Sequence, residues 1–134
     1  MSALTASCLC GGVRFEVDVP FERVSACHCT SCKKLSGGPG TVSGRARSDS
    51  IRILEGSDLL RTYQPAEGSA KTFCAECGSN LFGAGWPESE YSAVRLSTLD
   101  SFDEKPTAHI FVRSVAPWET LPDDGAERFD VHAP

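Results

Sequence analysis

Between Val13 and Val19 the side chains alternate without a break. Apolar Val13, Phe15, Val17 and Val19 stand against polar Arg14, Glu16 and Asp18. A period of two puts all the apolar groups on one side of an extended chain. Residues 13–19 therefore predict a half-buried antiparallel strand, closed by Pro20. Shorter runs follow. Residues 24–26 lead in extended form towards a cluster of cysteines. Residues 41–46, 51–54, 59–63, 80–83, 91–96 and 108–112 predict further strands, with Ile51 and Ile53 sharing a face, and residues 71–73 run into a later cysteine pair. Residues 64–68 predict a hairpin loop. Residues 30–35 predict a single helical turn, stopped by Ser36-Gly37-Gly38-Pro39-Gly40. That glycine-rich stretch reads either as a turn or as one wall of a site.

Many short strands separated by turn signals predict a mainly β fold with little helix, in one domain spanning residues 1–134. No internal repeat, heptad or linker interrupts it. The final stretch, 121–134, is acidic and weakly patterned, and Trp118 and Phe129 are the side chains expected to pin it to the core.

Composition narrows the function. The 134 residues carry 12 Gly and 8 Pro, in keeping with many turns. Thirteen basic and 18 acidic side chains leave a formal charge of -5. Such a chain is a poor match for phosphate backbones, so no nucleic-acid partner is expected. No apolar run approaches the roughly 20 residues needed to cross a bilayer. Residues 1–7 lack the basic and apolar regions of a secretory signal. The expected location is the cytoplasm, where close cysteine pairs serve metals or redox chemistry more often than disulfides. The sequence gives no oligomeric state.

Seven cysteines then dominate the picture. Cys27-His28-Cys29-Thr30-Ser31-Cys32 packs three thiols and an imidazole into six residues. Cys74-x-x-Cys77-Gly78 is a knuckle, whose tight turn aims two sulfurs at one ion. A closed structural zinc needs two more ligands. Cys29 and Cys32 are one candidate pair, and Cys8 and Cys10 (followed by Gly11-Gly12) are the other. Spacing alone leaves the choice open, but the remainder favours the second pair. It leaves Cys27, Cys29 and Cys32 together, and three ligands with a free fourth position are what a catalytic zinc uses. A different reading makes both sites purely structural, with His28 as the fourth ligand of the second. Iron–sulfur ligation and a redox dithiol at Cys29 and Cys32 lack the supporting patterns. Because both neighbours of His28 are candidate ligands, its ring is expected to turn away from the metal, either supporting the ligands or facing solvent.

These elements occur in a specific order: Cys-x-Cys-Gly-Gly at 8–12, Cys-His-Cys-x-x-Cys at 27–32, Phe-Cys-x-x-Cys-Gly-Ser at 73–79, Thr-Leu-Asp at 98–100 and Pro-x-x-His-Ile-Phe at 106–111, then Trp118. Together they resemble the glutathione-dependent formaldehyde-activating enzyme family, which also takes in centromere protein V-like proteins. The resemblance implies a β-tent fold, short antiparallel sheets gathered around zinc sites. It implies two zinc ions per chain: a structural one on Cys8, Cys10, Cys74 and Cys77, and one associated with activity on Cys27, Cys29 and Cys32. It further implies a small thiol substrate of the glutathione type. The activity would be that of a carbon–sulfur lyase, combining glutathione and formaldehyde into S-(hydroxymethyl)glutathione. The other reading of the same residues is a zinc-stabilised binding module without turnover.

Five further side chains have ordinary readings. His109, in an apolar strand, is expected to satisfy a core hydrogen bond. Trp118 is expected to anchor the core, and Asp100 to sit in a turn. Lys33 and Lys34 read as a solvated pair, or as a lure for a substrate carboxylate beside the open metal.

Overall fold

The computed structural model describes residues 2–134. Their eleven strands are β1 (Ser2–Ser7), β2 (Arg14–Val19), β3 (Arg23–Cys27), β4 (Thr41–Arg47), β5 (Ile51–Glu55), β6 (Leu60–Tyr63), β7 (Lys71–Cys74), β8 (Asn80–Gly83), β9 (Tyr91–Arg95), β10 (Ala108–Ile110) and β11 (Glu127–Arg128). A single α-helix, α1, covers Thr30–Ser36. The fold is mainly β, as the spacing of short apolar runs predicts. The alternating stretch forms β2, and Val13 just ahead of it, with Phe15 and Val17 within it, is wholly buried.

The strands form two sheets. One has three strands in the order β1-β2-β5, all antiparallel. The other has eight, ordered β11-β10-β3-β4-β9-β8-β7-β6. In it β10 runs parallel to both β3 and β11, and the other pairings are antiparallel. The hydrophobic core is shared between the sheets. Phe15 of β2 meets Phe82 of β8 edge to face at 4.8 Å between ring centroids, and Trp86 packs on Phe82 at 4.5 Å. Leu81 and Val94 complete the apolar centre. Burial of these large side chains supplies most of the drive to bring the two sheets together.

Register decides what the sheet presents. Cys27, the last residue of β3, pairs with Thr41 at the start of β4 and with Ile110 at the end of β10. Two residues along, Ser43 of β4 pairs with Arg95 of β9. Three neighbouring central strands of the large sheet thereby gather a thiol, two hydroxyls and a guanidinium that are far apart in sequence.

The structure departs from expectation at several places. β1 forms where no strand is predicted, because Leu4 and Ala6 turn inward as a weak, small-residue alternation. β10 stops at Ile110 rather than at 112. Phe111 takes a left-handed backbone (φ 55°), uncommon for a side chain of its size. The Phe111 and Val112 amides then turn to the carbonyls of Val131 and Phe129. Trp118 is not a core anchor: it is 77% exposed, at the tip of a turn closed by the Glu119 amide on the Ala116 carbonyl. Ala116, almost fully buried, takes the anchoring place. Phe129 does tie down its segment, but through its backbone amide on the His109 carbonyl. Among the described residues no helix is long and apolar enough to cross a membrane.

Candidate metal centres and the cavity above them

The thiols converge in two groups. Within each, the sulfurs lie within 4.8 Å of one another: Cys8, Cys10, Cys74 and Cys77 in one, and Cys27, Cys29 and Cys32 in the other. The knuckle sulfurs thus meet those of Cys8 and Cys10, not those of Cys29 and Cys32.

The four-thiol group is built from two similar turns. Cys8 follows β1, and Gly11 in a left-handed conformation returns its amide to the Cys8 carbonyl at 3.1 Å. Cys74 ends β7, and Gly78, also left-handed, returns its amide to the Cys74 carbonyl at 2.7 Å. Glycine takes this conformation at little steric cost. Ser79 couples the turns: its hydroxyl accepts the Leu9 amide at 2.8 Å and lies 3.2 Å from the Cys77 sulfur. That hydroxyl is the main reason the Cys77 thiol is pushed down to about 5. The sulfurs of Cys8 and Cys10 are 3.5 Å apart, and those of Cys10 and Cys74 are 3.9 Å apart. A tetrahedron with zinc–sulfur bonds of about 2.3 Å has edges of about 3.8 Å, so the spacing and the soft donor set fit such an ion. Cys8 and Cys74 are also part of the hydrophobic core.

The three-thiol group sits where β3 gives way to α1. Cys29 is the N-cap of α1, and its sulfur accepts the Cys32 amide at 3.3 Å. Cys32, one helical turn on, is buried. Its sulfur accepts the Thr41 hydroxyl at 3.2 Å. A hydrogen bond from Cys27 and then the one from Thr41 push the Cys32 thiol down to about 5. The Cys27 thiol is raised instead, by that same bond to Cys32 and by burial. Gly37 closes the helix in a left-handed turn. Gly40 backs onto the Cys27 carbonyl, where a Cβ would come within 2.1 Å of the oxygen. The glycine-rich stretch is therefore a turn packed behind the thiol loop and does not line the cavity in front of it.

His28 is buried, not solvent-facing. Its Nε2 lies 3.0 Å from Nδ1 of His109, whose Nε2 lies 2.9 Å from the Asp124 carboxylate. An ionised carboxylate only accepts, so His109 donates from Nε2 and accepts at Nδ1 from His28. Nδ1 of His28 is buried and without a partner. Burial, and then the proximity of His109, lower its proton affinity, so the ring stays neutral. His109 thus makes the expected structural hydrogen bonds, and the chain Asp124–His109–His28 braces the peptide that carries Cys27 and Cys29. Asp100 sits in a bend, as expected, and accepts the Thr5 hydroxyl at 2.6 Å.

The hydrogen bond from His109 holds the Asp124 carboxyl below the usual carboxylate range, with help from the Ala126 amide. A depressed carboxyl stabilises the fold above its unfolded pKa of about 3.9, and that contribution fades as pH falls through the lower folded value. Asp124→Asn is accordingly expected to lower the melting temperature at neutral pH. The gap from the parent stays constant down to about pH 5 and narrows in stronger acid. Melts at pH 7, 5 and 3.5 check this, and a gap that widens towards acid contradicts it.

In front of the three thiols opens a cavity of about 790 Å³. Arg23, Arg45, Lys71, Arg95 and Arg113 line it, with Glu67 as the acidic counterpart. Arg45 is neutralised by Glu22 at 2.8 Å. The rest give a cationic lining to a chain whose overall charge is -5. Lys33 and Lys34 play no part in it. The Lys33 ammonium donates to the Ser114 carbonyl, and Lys34 is exposed. His132, stacked edge-on against Phe111, closes one side. The cationic wall and the Asp124 brace come from strand register and from the far end of the chain, and no local motif announces them.

Two sheets around a shared core, one closed group of four thiols and one open group of three beneath a cavity define a β protein with two thiolate-rich metal-type sites. Residues 3–114 match the family model described as glutathione-dependent formaldehyde-activating enzyme, and the chain belongs to that family. A relative from Halomonas elongata, named "Putative glutathione-dependent formaldehyde-activating enzyme", is 29% identical over 128 residues, covering 86% of this chain and 78% of its own. An uncharacterized lyase of Schizosaccharomyces pombe is 19% identical over 127 residues, covering 87% of this chain and 90% of its own. A crystal structure of a Rhodobacter sphaeroides protein superimposes with a TM-score of 0.63 at 21% identity, covering 94% of this chain and 99% of that one, a likeness of fold.

Proposed function

We propose that this protein is a single-domain, two-zinc enzyme that joins glutathione to formaldehyde, giving S-(hydroxymethyl)glutathione, and so works as a carbon–sulfur lyase in the reverse sense. Cys8, Cys10, Cys74 and Cys77 hold the structural ion, and Cys27, Cys29 and Cys32 the one that serves the reaction. The observation that carries this reading is the three-thiol group at the floor of a cationic cavity. A zinc ion bound there supplies a Lewis acid that keeps a thiol substrate deprotonated and nucleophilic at neutral pH.

The chain's own residues do the rest. Arg23, Lys71 and Arg113 attract the carboxylates of a thiol peptide and steer its sulfur inward. Arginine also grips carboxylates with paired hydrogen bonds. The cavity wall keeps the small aldehyde near the sulfur, which gains from proximity. In the reaction a sulfur–carbon bond forms, the carbonyl π bond opens, and the proton lost from the thiol ends on the new hydroxyl oxygen. The names of the family and of its relatives favour this pair of substrates.

Titration of the zinc-loaded protein with glutathione, followed by X-ray absorption at the zinc edge, tests the reading. A fourth sulfur is expected at the three-thiol centre as glutathione binds. Unchanged coordination, with and without formaldehyde, would favour a binding module or another thiol.

A further inference from the structure

Arg95 is the most deeply buried cation of the cavity, only 7% exposed. Its hydrogen-bond partners are all neutral oxygens. Nε donates to Asn80 Oδ1 at 2.5 Å, and Nη1 donates to Ser43 Oγ at 2.8 Å and to Thr41 Oγ1 at 3.3 Å. Among the described residues it makes no ion pair with a carboxylate. A buried guanidinium stays charged and is costly unless an anion faces it. The neighbouring geometry links it to the thiols instead. Thr41 accepts from Arg95 and donates its own hydroxyl to the Cys32 sulfur at 3.2 Å, so one unbroken line runs from the cation to the thiol. Gly83 leaves the room for this. A Cβ there would fall 2.5 Å from Arg95 Nη2.

We propose that Arg95 is a positioning residue for the three-thiolate centre. It acts through Thr41 to fix and electrostatically stabilise the Cys32 thiolate, and it offsets the extra negative charge when a substrate thiolate joins. Three thiolates on a divalent ion carry a net -1, and a fourth makes -2. A fixed cation behind the sulfurs favours both states, and more so the second. Its task differs from that of Arg113 at the cavity wall, which faces the substrate's carboxylates. Groups that hydrogen-bond to a ligand commonly tune metal affinity by about 10- to 100-fold.

The proposal rests on the reading that a thiol enters at Cys27, Cys29 and Cys32, so its test has an arm that needs no substrate. Arg95→Gln, Arg95→Lys and Thr41→Val are prepared with cobalt(II) at the second centre. Cobalt retention is measured by chelator competition, and the sulfur-to-cobalt charge-transfer band is recorded. Arg95→Gln is expected to lose the second metal about 10- to 100-fold more readily, and Arg95→Lys to regain much of that. Thr41→Val keeps the charge but removes the hydroxyl. It is expected to shift the band to lower energy, because the sulfur lone pair loses its donor. A second arm measures thiol binding. Arg95→Gln should weaken glutathione and 2-mercaptoethanol alike, whereas Arg113→Gln should weaken glutathione alone. Metal affinity within twofold of the parent in folded Arg95→Gln overturns the proposal. Should Arg95→Gln not fold, an unshifted band in Thr41→Val overturns it. A parent protein that binds no thiol, with the metal arm behaving as expected, counts against the enzyme reading and leaves the role of Arg95 in holding the metal upheld.

Discussion

Cys77→Ser is expected to leave the chain largely unfolded at neutral pH, as is treatment with a strong zinc chelator. The free energy of filling a structural zinc site is folding free energy, about 10–16 kcal/mol in small zinc modules. The whole stability of a domain this size is about 5–15 kcal/mol. Cys8 and Cys74 lie inside the apolar core, so the four-sulfur group joins the ends of β1 and β7 directly to the packing between the sheets. Without the ion, the thiols that converge there hold only weak sulfur–sulfur contacts in place of metal bonds. A circular-dichroism melt together with zinc content per chain gives the result. A cooperative transition within a few degrees of the parent would show that the four-thiol site is not structural.

Cys29→Ser is expected to behave in the opposite way. Its fold survives, and its activity falls by about 100-fold or more, beyond the range seen when only a ligand's supporting partner is lost. The reason is local. Cys29 caps α1 by accepting the Cys32 amide, and serine is among the best residues at that position, so the helix keeps its start. A hydroxyl is nevertheless a much poorer zinc ligand than a thiolate. The melting temperature should stay within a few degrees, while zinc content drops from two ions towards one. If Cys29→Ser unfolds as readily as Cys77→Ser, the second centre is a structural staple as well.

The contrast between these variants follows from features that differ in how plainly the sequence carries them. Local patterns read well. Strict alternation marks β2, Gly37 marks the end of α1, and Gly78 takes the left-handed turn that a knuckle needs. The thiols read well too, because their density has no use in a hydrophobic core. What the sequence conceals depends on long-range pairing. Arg95 reaches the thiols only because β4 and β9 pair Ser43 with it, one step along the sheet from Thr41 and Cys27. Asp124 reaches His109 only because β11 lies parallel to β10. β11 itself has no apolar pattern: Glu127 and Arg128 are both exposed, and it is held by backbone bonds. Trp118 misleads for the converse reason. Large aromatic side chains usually go inside, but a turn at its own position carries it out.

The parallel seating of residues 127–131 against β10 also governs when the site can exist. Asp124 and His132 are made about a hundred residues after the thiols of the centre that they brace and wall. The distant pairing is that of β10 with β3, which sets His109 on His28 across 81 residues, and contacts so far apart in sequence form slowly. During synthesis the Cys27–Cys32 loop therefore precedes its own brace, which needs the segment around Asp124 to dock against β10.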